Sequence, residues 1–176
     1  MNLQGKYLVA RPVINDPWFK HSIVYIYEYG PQGAAGLIIN KPGTMQISRM
    51  VNNVTGIHPV YDDLLYNGGP VNENALIMMH TSEWFSTNTH QVTKEISISS
   101  DKFMLEKVIT GNTPKGFRVC TGMSGWHQGQ IENEIKRNHW LVTKLDLSTV
   151  FDYSGEDQWQ QAVEKVAKTT IDKYLV

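Results

Sequence analysis

The chain has 176 residues, of which 41% are apolar and 19% charged, with a net charge of −1 and a single cysteine. That length suits one domain burying about 70% of its unfolded surface, so neither disulfide nor metal staple is required. The near-neutral balance contains no basic grouping larger than Lys136-Arg137, which disfavours direct nucleic-acid binding because phosphate neutralisation dominates that affinity. Cys120 can form no internal disulfide, as expected of a reducing cytoplasmic setting. No segment approaches the ~18 consecutive apolar residues of a membrane helix. Met1 to Ala10 lacks a signal-peptide run. The expectation is a soluble, cytoplasmic protein with no membrane association.

Taken in chain order, Lys6 to Arg11 is a short apolar run closed by Pro12. Ser22 to Tyr29 holds the continuous β-branched and aromatic run Ile23, Val24, Tyr25, Ile26 and Tyr27, which predicts a strand buried on both faces. Gly30-Pro31-Gln32-Gly33 signals a turn into a partner strand, Gly36 to Ile39, ended by Asn40-Lys41-Pro42-Gly43. Asp63 to Tyr66 and Ala75 to His80 read as strands around Asn67-Gly68-Gly69-Pro70-Val71. Glu95 to Ser99 alternates as a half-buried strand does. Asp101 is a good N-cap for a helix running to about Thr110, with Gly111 as its stop. Gly116 to Cys120 predicts a strand, Gly129 to Asn138 a helix and Trp140 to Lys144 a strand. The last helix, Glu156 to Tyr174, places Trp159, Ala162, Val163, Val166, Ala167, Ile171 and Tyr174 on one core-facing stripe. Strands followed by helices predict an α/β chain of α+β type: a single-domain sandwich, residues 1–176, whose mostly β N-terminal part forms a mixed sheet with helices packed on it.

No stretch carries a complete catalytic motif, so the catalytic residues are unknown at this level. Gly30, Gly33 and Gly36 lie between two strands, unlike the dinucleotide fingerprint that opens a helix, and read as a tight hairpin. The phosphate loop is absent: Gly111 to Gly116 has only its glycine spacing. Ser124 resembles the centre of a nucleophile elbow, but Trp126 stands where the second glycine belongs. Cys120 ends an apolar strand, which predicts a buried, inert thiol. The six histidines show no i, i+4 metal spacing with a supporting carboxylate, so no metal and no cofactor is expected. Glu132 and Glu134 fall early in a helix and complement its dipole. Trp126, in the glycine-punctuated stretch Gly122 to Gln130, is either a core plug with its N–H satisfied or an interface anchor on a loop.

Several blocks in order resemble the AlgH/YqgE family of bacterial proteins. They are Met1 to Gly5, Leu8 to Pro12, Asp16 to Phe19, Ser22 to Tyr25, Gly33 to Pro42, Gly68 to Val71, His80-Thr81, Gly125 to Ile135 and Trp140-Leu141. Together they run from the first residue to about residue 142, with Trp159 and Ala162 echoing the final helix. The resemblance implies one α/β sandwich domain in the bacterial cytosol and a regulatory, indirectly transcriptional role. It brings no chemical activity with it, and implies a shallow apolar cleft framed by the most alike region. The chain departs from the family pattern at Tyr29, often histidine, at Met123, usually aromatic, and at Ser124, a position that can be alanine.

The combined reading is a binding or regulatory protein for an unidentified protein partner or small ligand, acting as a monomer or weak oligomer. Its cleft is expected to be lined by Pro12, Phe19, Gly36, Asn40, Lys41, Pro42, Gly69, Pro70, His80, Trp126 and Gln130. Glycines there would let a partner backbone approach. The alternative is a small hydrolase or transferase with His80 as general base and Asn40, Lys41 or loop amides stabilising an oxyanion.

Overall fold

The computed structural model describes residues 1–55 and 58–175, and the side chains of all of these but 52–55. In chain order the elements are β1 (Tyr7–Ala10), β2 (Ile23–Gly30), β3 (Gly33–Ile38), β4 (Pro42–Gln46), α1 (Ile47–Thr55), β5 (Leu64–Asn67) and β6 (Val71–Thr81). There follow β7 (Thr89–Gln91), β8 (Ile96–Ser99), α2 (Phe103–Ile109), β9 (Phe117–His127), α3 (Gln130–Lys136), β10 (Trp140–Thr143), α4 (Leu147–Phe151) and α5 (Gly155–Tyr174). The strands form one curled sheet in the order β10-β1-β2-β3-β9-β6-β8-β7, and β4 and β5 hang beside it. Pairing is antiparallel except between β5 and β9, the sole parallel pair among the described residues. With five helices against it, the fold is α+β, as the sequence predicts.

The continuous apolar run of β2 is explained by helices on both sides of it. Tyr7, Val9, Ile23, Tyr25, Leu37 and Ile39 face a core completed by Val150 of α4 and Trp159 and Ala162 of α5. The alternate residues Leu8, Ala10, Val24, Ile26 and Ile38 face a second core with Trp126, Trp140 and Ile131 of α3. The period-two alternation of a strand thus serves two cores. A third cluster packs α1 and α2 against Leu65, Met78, Trp84 and Val119.

Several expectations need correction. The stretch from Gly122 to His127 is strand, not loop: Ser124 to His127 pair with Gly36 to Gly33 of β3. Earlier in β9, Cys120 and Thr121 pair with Tyr66 and Asn67 of β5, so the strand changes neighbour between these points. Gly122 sits at the change with φ of +72°, and a Cβ there would lie 2.4 Å from the Gly69 carbonyl oxygen. Glycine spacing that reads as a loop is here a requirement of two backbones in contact. The strand at Ile96–Ser99 is buried at all four positions, because β7 and β6 flank it, rather than half-buried. On α5 the core stripe stops early. Trp159 and Ala162 are buried and Val163 and Val166 pack partly, but Ala167 is exposed and Ile171 and Tyr174 are 55% and 81% exposed. The elements β4, β7 and α4 carry no clear periodic signal in the sequence, whereas α1, also absent from the expected elements, does: Ile47, Met50, Val51 and Val54 follow helical spacing. In α2, Asp101 performs the expected cap: its carboxylate accepts from the Phe103 and Met104 amides, each at 3.0 Å.

Candidate functional site

The segment between β1 and β2 is shaped by Asp16, whose carboxylate accepts from the Trp18 and Phe19 amides at 2.8 and 3.2 Å. This turn drives Phe19 onto the second core, 6.1 Å from the Trp126 ring and 5.8 Å, edge-on, from the Trp140 ring. Across from it, Gln130 opens α3 and accepts from the His127 amide at 3.1 Å. One turn on, a single oxygen of Glu134 accepts both indole N–H groups, from Trp126 at 3.0 Å and Trp140 at 2.8 Å. The Gln130 amide reaches the other oxygen at 3.4 Å. Between these elements lies a shallow cleft of about 380 Å³, with Val13, Ile14 and Phe19 on one wall and Gln130, Glu134, His139 and Trp140 on the other. Val13 is 64% exposed at its rim.

The structure brings Phe19, Trp126 and Gln130 of the expected set together, but Trp126 lies beneath the cleft, 7% exposed, as a core residue with its N–H satisfied. The other expected residues go elsewhere. Asn40 is buried, accepting from the Ile23 amide at 2.8 Å and donating to the carbonyls of His21 and Gly155 at 2.9 and 3.1 Å. It ties β2, β3 and the start of α5 together and leaves no polar atom for a ligand. Lys41 donates to the Lys20 carbonyl at 2.5 Å, and burial lowers its pKa. The glycines expected to admit a partner admit this chain's own backbone instead. A Cβ on Gly69, whose φ is +148°, would meet the Met123 carbonyl at 2.3 Å. One on Gly36 would meet the Tyr25 carbonyl oxygen at 2.8 Å. Pro12, Pro42 and Pro70 are exposed.

The reactive-looking side chains are engaged. His80 is fully buried, with Nδ1 2.9 Å from the Thr81 carbonyl oxygen and Nε2 2.7 Å from Ser99 Oγ. A carbonyl only accepts, so Nδ1 carries the proton and Nε2 accepts from Ser99. Burial pushes the imidazole pKa down, which keeps it neutral. Asn40 and Lys41 share no hydrogen-bond partner with it. Ser124 is buried and donates to the Gly68 carbonyl at 3.1 Å. The Cys120 thiol is buried and its pKa is pushed up to about 12 by desolvation. No group of three or more His, Cys, Asp or Glu side chains converges among the described residues.

Glu134 is the residue that sequence reasoning misses. It reads as a dipole partner near a helix start, and only the fold shows that two indoles converge on it. The i, i+4 pair Gln130 and Glu134 is its one local signal.

Known proteins with this architecture place the chain. The AlgH protein from Pseudomonas aeruginosa, solved in solution, superposes with a TM-score of 0.78 at 29% identity, covering 92% of this chain and 87% of its own. A crystal structure from Corynebacterium diphtheriae shares the fold, with a TM-score of 0.75 at 21% identity over 94% of this chain and 87% of its own. In sequence, a UPF0301 protein of Vibrio vulnificus is 36% identical over 172 residues, 93% of this chain and 91% of its own length. A UPF0301 protein of Yersinia pestis is 34% identical over 174 residues, 94% of this chain and 92% of its own. The family profile described as AlgH-like matches residues 7–170. The chain therefore belongs to the AlgH-like family.

Proposed function

We propose that this protein is a cytoplasmic binding protein of regulatory type, and that its cleft between the Val13–Phe19 segment and α3 takes an apolar segment of a protein partner. The observation that supports the reading most is the cleft itself. An aromatic floor of Phe19 and Trp140 rises to an exposed Val13, with Gln130 and His139 offering polar groups on the opposite wall. Apolar anchors beside a few placed polar groups are the ordinary make-up of a recognition site. Catalysis at His80 gains no support, since the ring is fully buried, neutral and hydrogen-bonded on both nitrogens. A cytoplasmic setting fits the one buried free thiol, and no described helix is long and apolar enough to cross a membrane.

The test is photo-crosslinking in bacterial cells expressing the chain with p-benzoylphenylalanine at position 13. A discrete protein adduct is expected, weakened by Phe19→Ala and by the surface change Gln130→Lys. The same probe at Val142, exposed on β10, serves as control. No adduct at 13, or the same adduct from 142, would sink the reading.

A further inference from the structure

Three strands have a free edge among the described residues: β10 and β7 end the sheet, and β4 pairs only with β5. A free edge presents unpaired N–H and C=O groups, and natural edges are commonly blunted by brevity, proline, charge or a bulge. Two of the three are blunted in this way. β7 has three residues, Thr89-His90-Gln91, none of them apolar. β4 begins with Pro42, and its pairing to β5 shifts register before Gln46. β10 has none of these guards. Trp140-Leu141-Val142-Thr143 holds no charge, proline or glycine, and it pairs with β1 without a break, Ala10 opposite Trp140 and Tyr7 opposite Thr143. The Arg11 amide donates to the His139 carbonyl at 2.9 Å, while the Ala10 amide donates the other way, to the Ser22 carbonyl at 2.9 Å. Alternate residues of an antiparallel strand bond to one neighbour. His139, Leu141 and Thr143 therefore bond to β1, and the N–H and C=O of Trp140 and Val142 point out of the sheet. Val142 is exposed at this edge.

We propose that β10 is the interface between two copies of this chain, paired antiparallel into one continuous sheet with Leu141 opposite Leu141 across a two-fold axis. In this register the outward groups of Trp140 meet those of Val142 on the second copy and exchange both N–H and C=O, and the axis makes the two exchanges equivalent. The side chains are self-complementary as well. Val142 lies on the same face as Trp140 of the second copy, a β-branched residue beside an aromatic one, and the two leucines meet on the other face. Thr143 falls opposite His139, and Lys144 opposite Asn138, so no like charges face each other. Pairing Val142 with itself instead would put Trp140 opposite Lys144 and route the exchange through a residue beyond the end of the strand.

The test is sedimentation of the full chain from about 10 µM to about 1 mM, where a monomer–dimer equilibrium is expected. Val142→Lys should weaken it at least about tenfold, since an edge lysine guards against pairing. Val142→Pro should abolish it and leave the thermal midpoint nearly unchanged, because that N–H points away from β1 and bears no ladder bond. If the proline variant folds poorly, the lysine variant, at a surface position, decides. Register is read with cysteines, Cys120 being buried. Leu141→Cys should give a disulfide-linked dimer on mild oxidation, its Cα atoms about 4.5 Å apart across the axis. Thr143→Cys, opposite His139, should not. Benzoylphenylalanine at position 142 would then join two copies, an adduct of twice the chain's mass that is distinct from a partner adduct at 13. A parent chain that stays monomeric to about 1 mM would overturn the proposal and leave the edge to a strand of another protein. A dimer untouched by Val142→Lys, or cysteines at 141 and 143 that link equally, would overturn it too.

Discussion

Trp126 shows how one side chain changes meaning between chain and fold. On β9 it points into the second core, and its indole N–H is one of two accepted by Glu134 Oε2. It is therefore unsuited to probing binding, since removing it opens a large cavity. Trp126→Ala should cost about 3–5 kcal/mol of unfolding free energy, read from urea denaturation. Glu134→Ala strands two indole donors with no change in the aromatic core, and should cost about 2 kcal/mol in the same assay. If Trp126→Ala lost less than about 1 kcal/mol, the indole could not be the core plug seen here. The choice between plug and anchor is invisible in Gly125-Trp126-His127, because both uses favour the same local residues. It is settled by Ala34 and Gly36 pairing opposite Trp126 and Ser124, which makes the stretch a central strand.

Arg118 acts between elements. It stands on β9, is 5% exposed, and its guanidinium lies 4.4 Å over the Tyr66 ring. It donates to the Ile39 carbonyl at 2.8 Å, to Gln158 at 3.0 Å and to the carbonyls of Phe151 and Tyr153. One fork thus pins the end of β3, the α4–α5 connection and the first turn of α5. Arg118→Ala leaves those acceptors buried and should lower stability by about 3 kcal/mol; Arg118→Lys should recover little of it, because an ammonium cannot reproduce the fork. The far end of α5 behaves oppositely. Ile171 and Tyr174 are exposed, so ending the chain at Lys168 should change the unfolding free energy by less than about 1 kcal/mol at any protein concentration. A loss of stability that grows with protein concentration would instead mean that a second copy covers this face. The 3.6-residue spacing of α5 is plain in the sequence. Where its partner surface ends is not, because β1 and α4 supply that surface.

For the whole molecule, pH dependence follows from groups whose pKa values the fold lowers. His80 has its pKa lowered in the fold by burial, so the unfolded chain binds a proton more readily. Its contribution to stability is complete above the unfolded value near 6.5 and is lost as pH falls below it. Glu83, Asp101 and Asp146 also have lowered pKa values. Burial opposes the shift at Glu83 and Asp101, but hydrogen bonds from the Lys115 amide and Thr81, and from the Asn88, Phe103 and Met104 amides and Ser86, outweigh it. At Asp146, hydrogen bonds from Ser148 and Thr149 dominate. Their contributions are present above the unfolded carboxylate values of about 4 and are lost as pH falls through the folded ones. Urea midpoints measured from pH 8 to 3 should therefore fall in two stages, and His80→Gln should flatten the upper one. A His80→Gln profile still as steep between pH 7 and 5 would contradict this assignment. The sequence by itself determined the α+β class, the strands of β1 to β3, the cap of α2 and the amphipathic start of α5, because these rest on periodicity and local backbone chemistry. It also carried the family resemblance, through blocks whose order survives without the fold. Only the tertiary structure decided what the glycines are for, where Trp126 and His80 go, and that Glu134 and Arg118 join distant elements. Those depend on contacts between residues distant in the chain, where burial and hydrogen-bond partners are set by the neighbouring element and not by the local sequence.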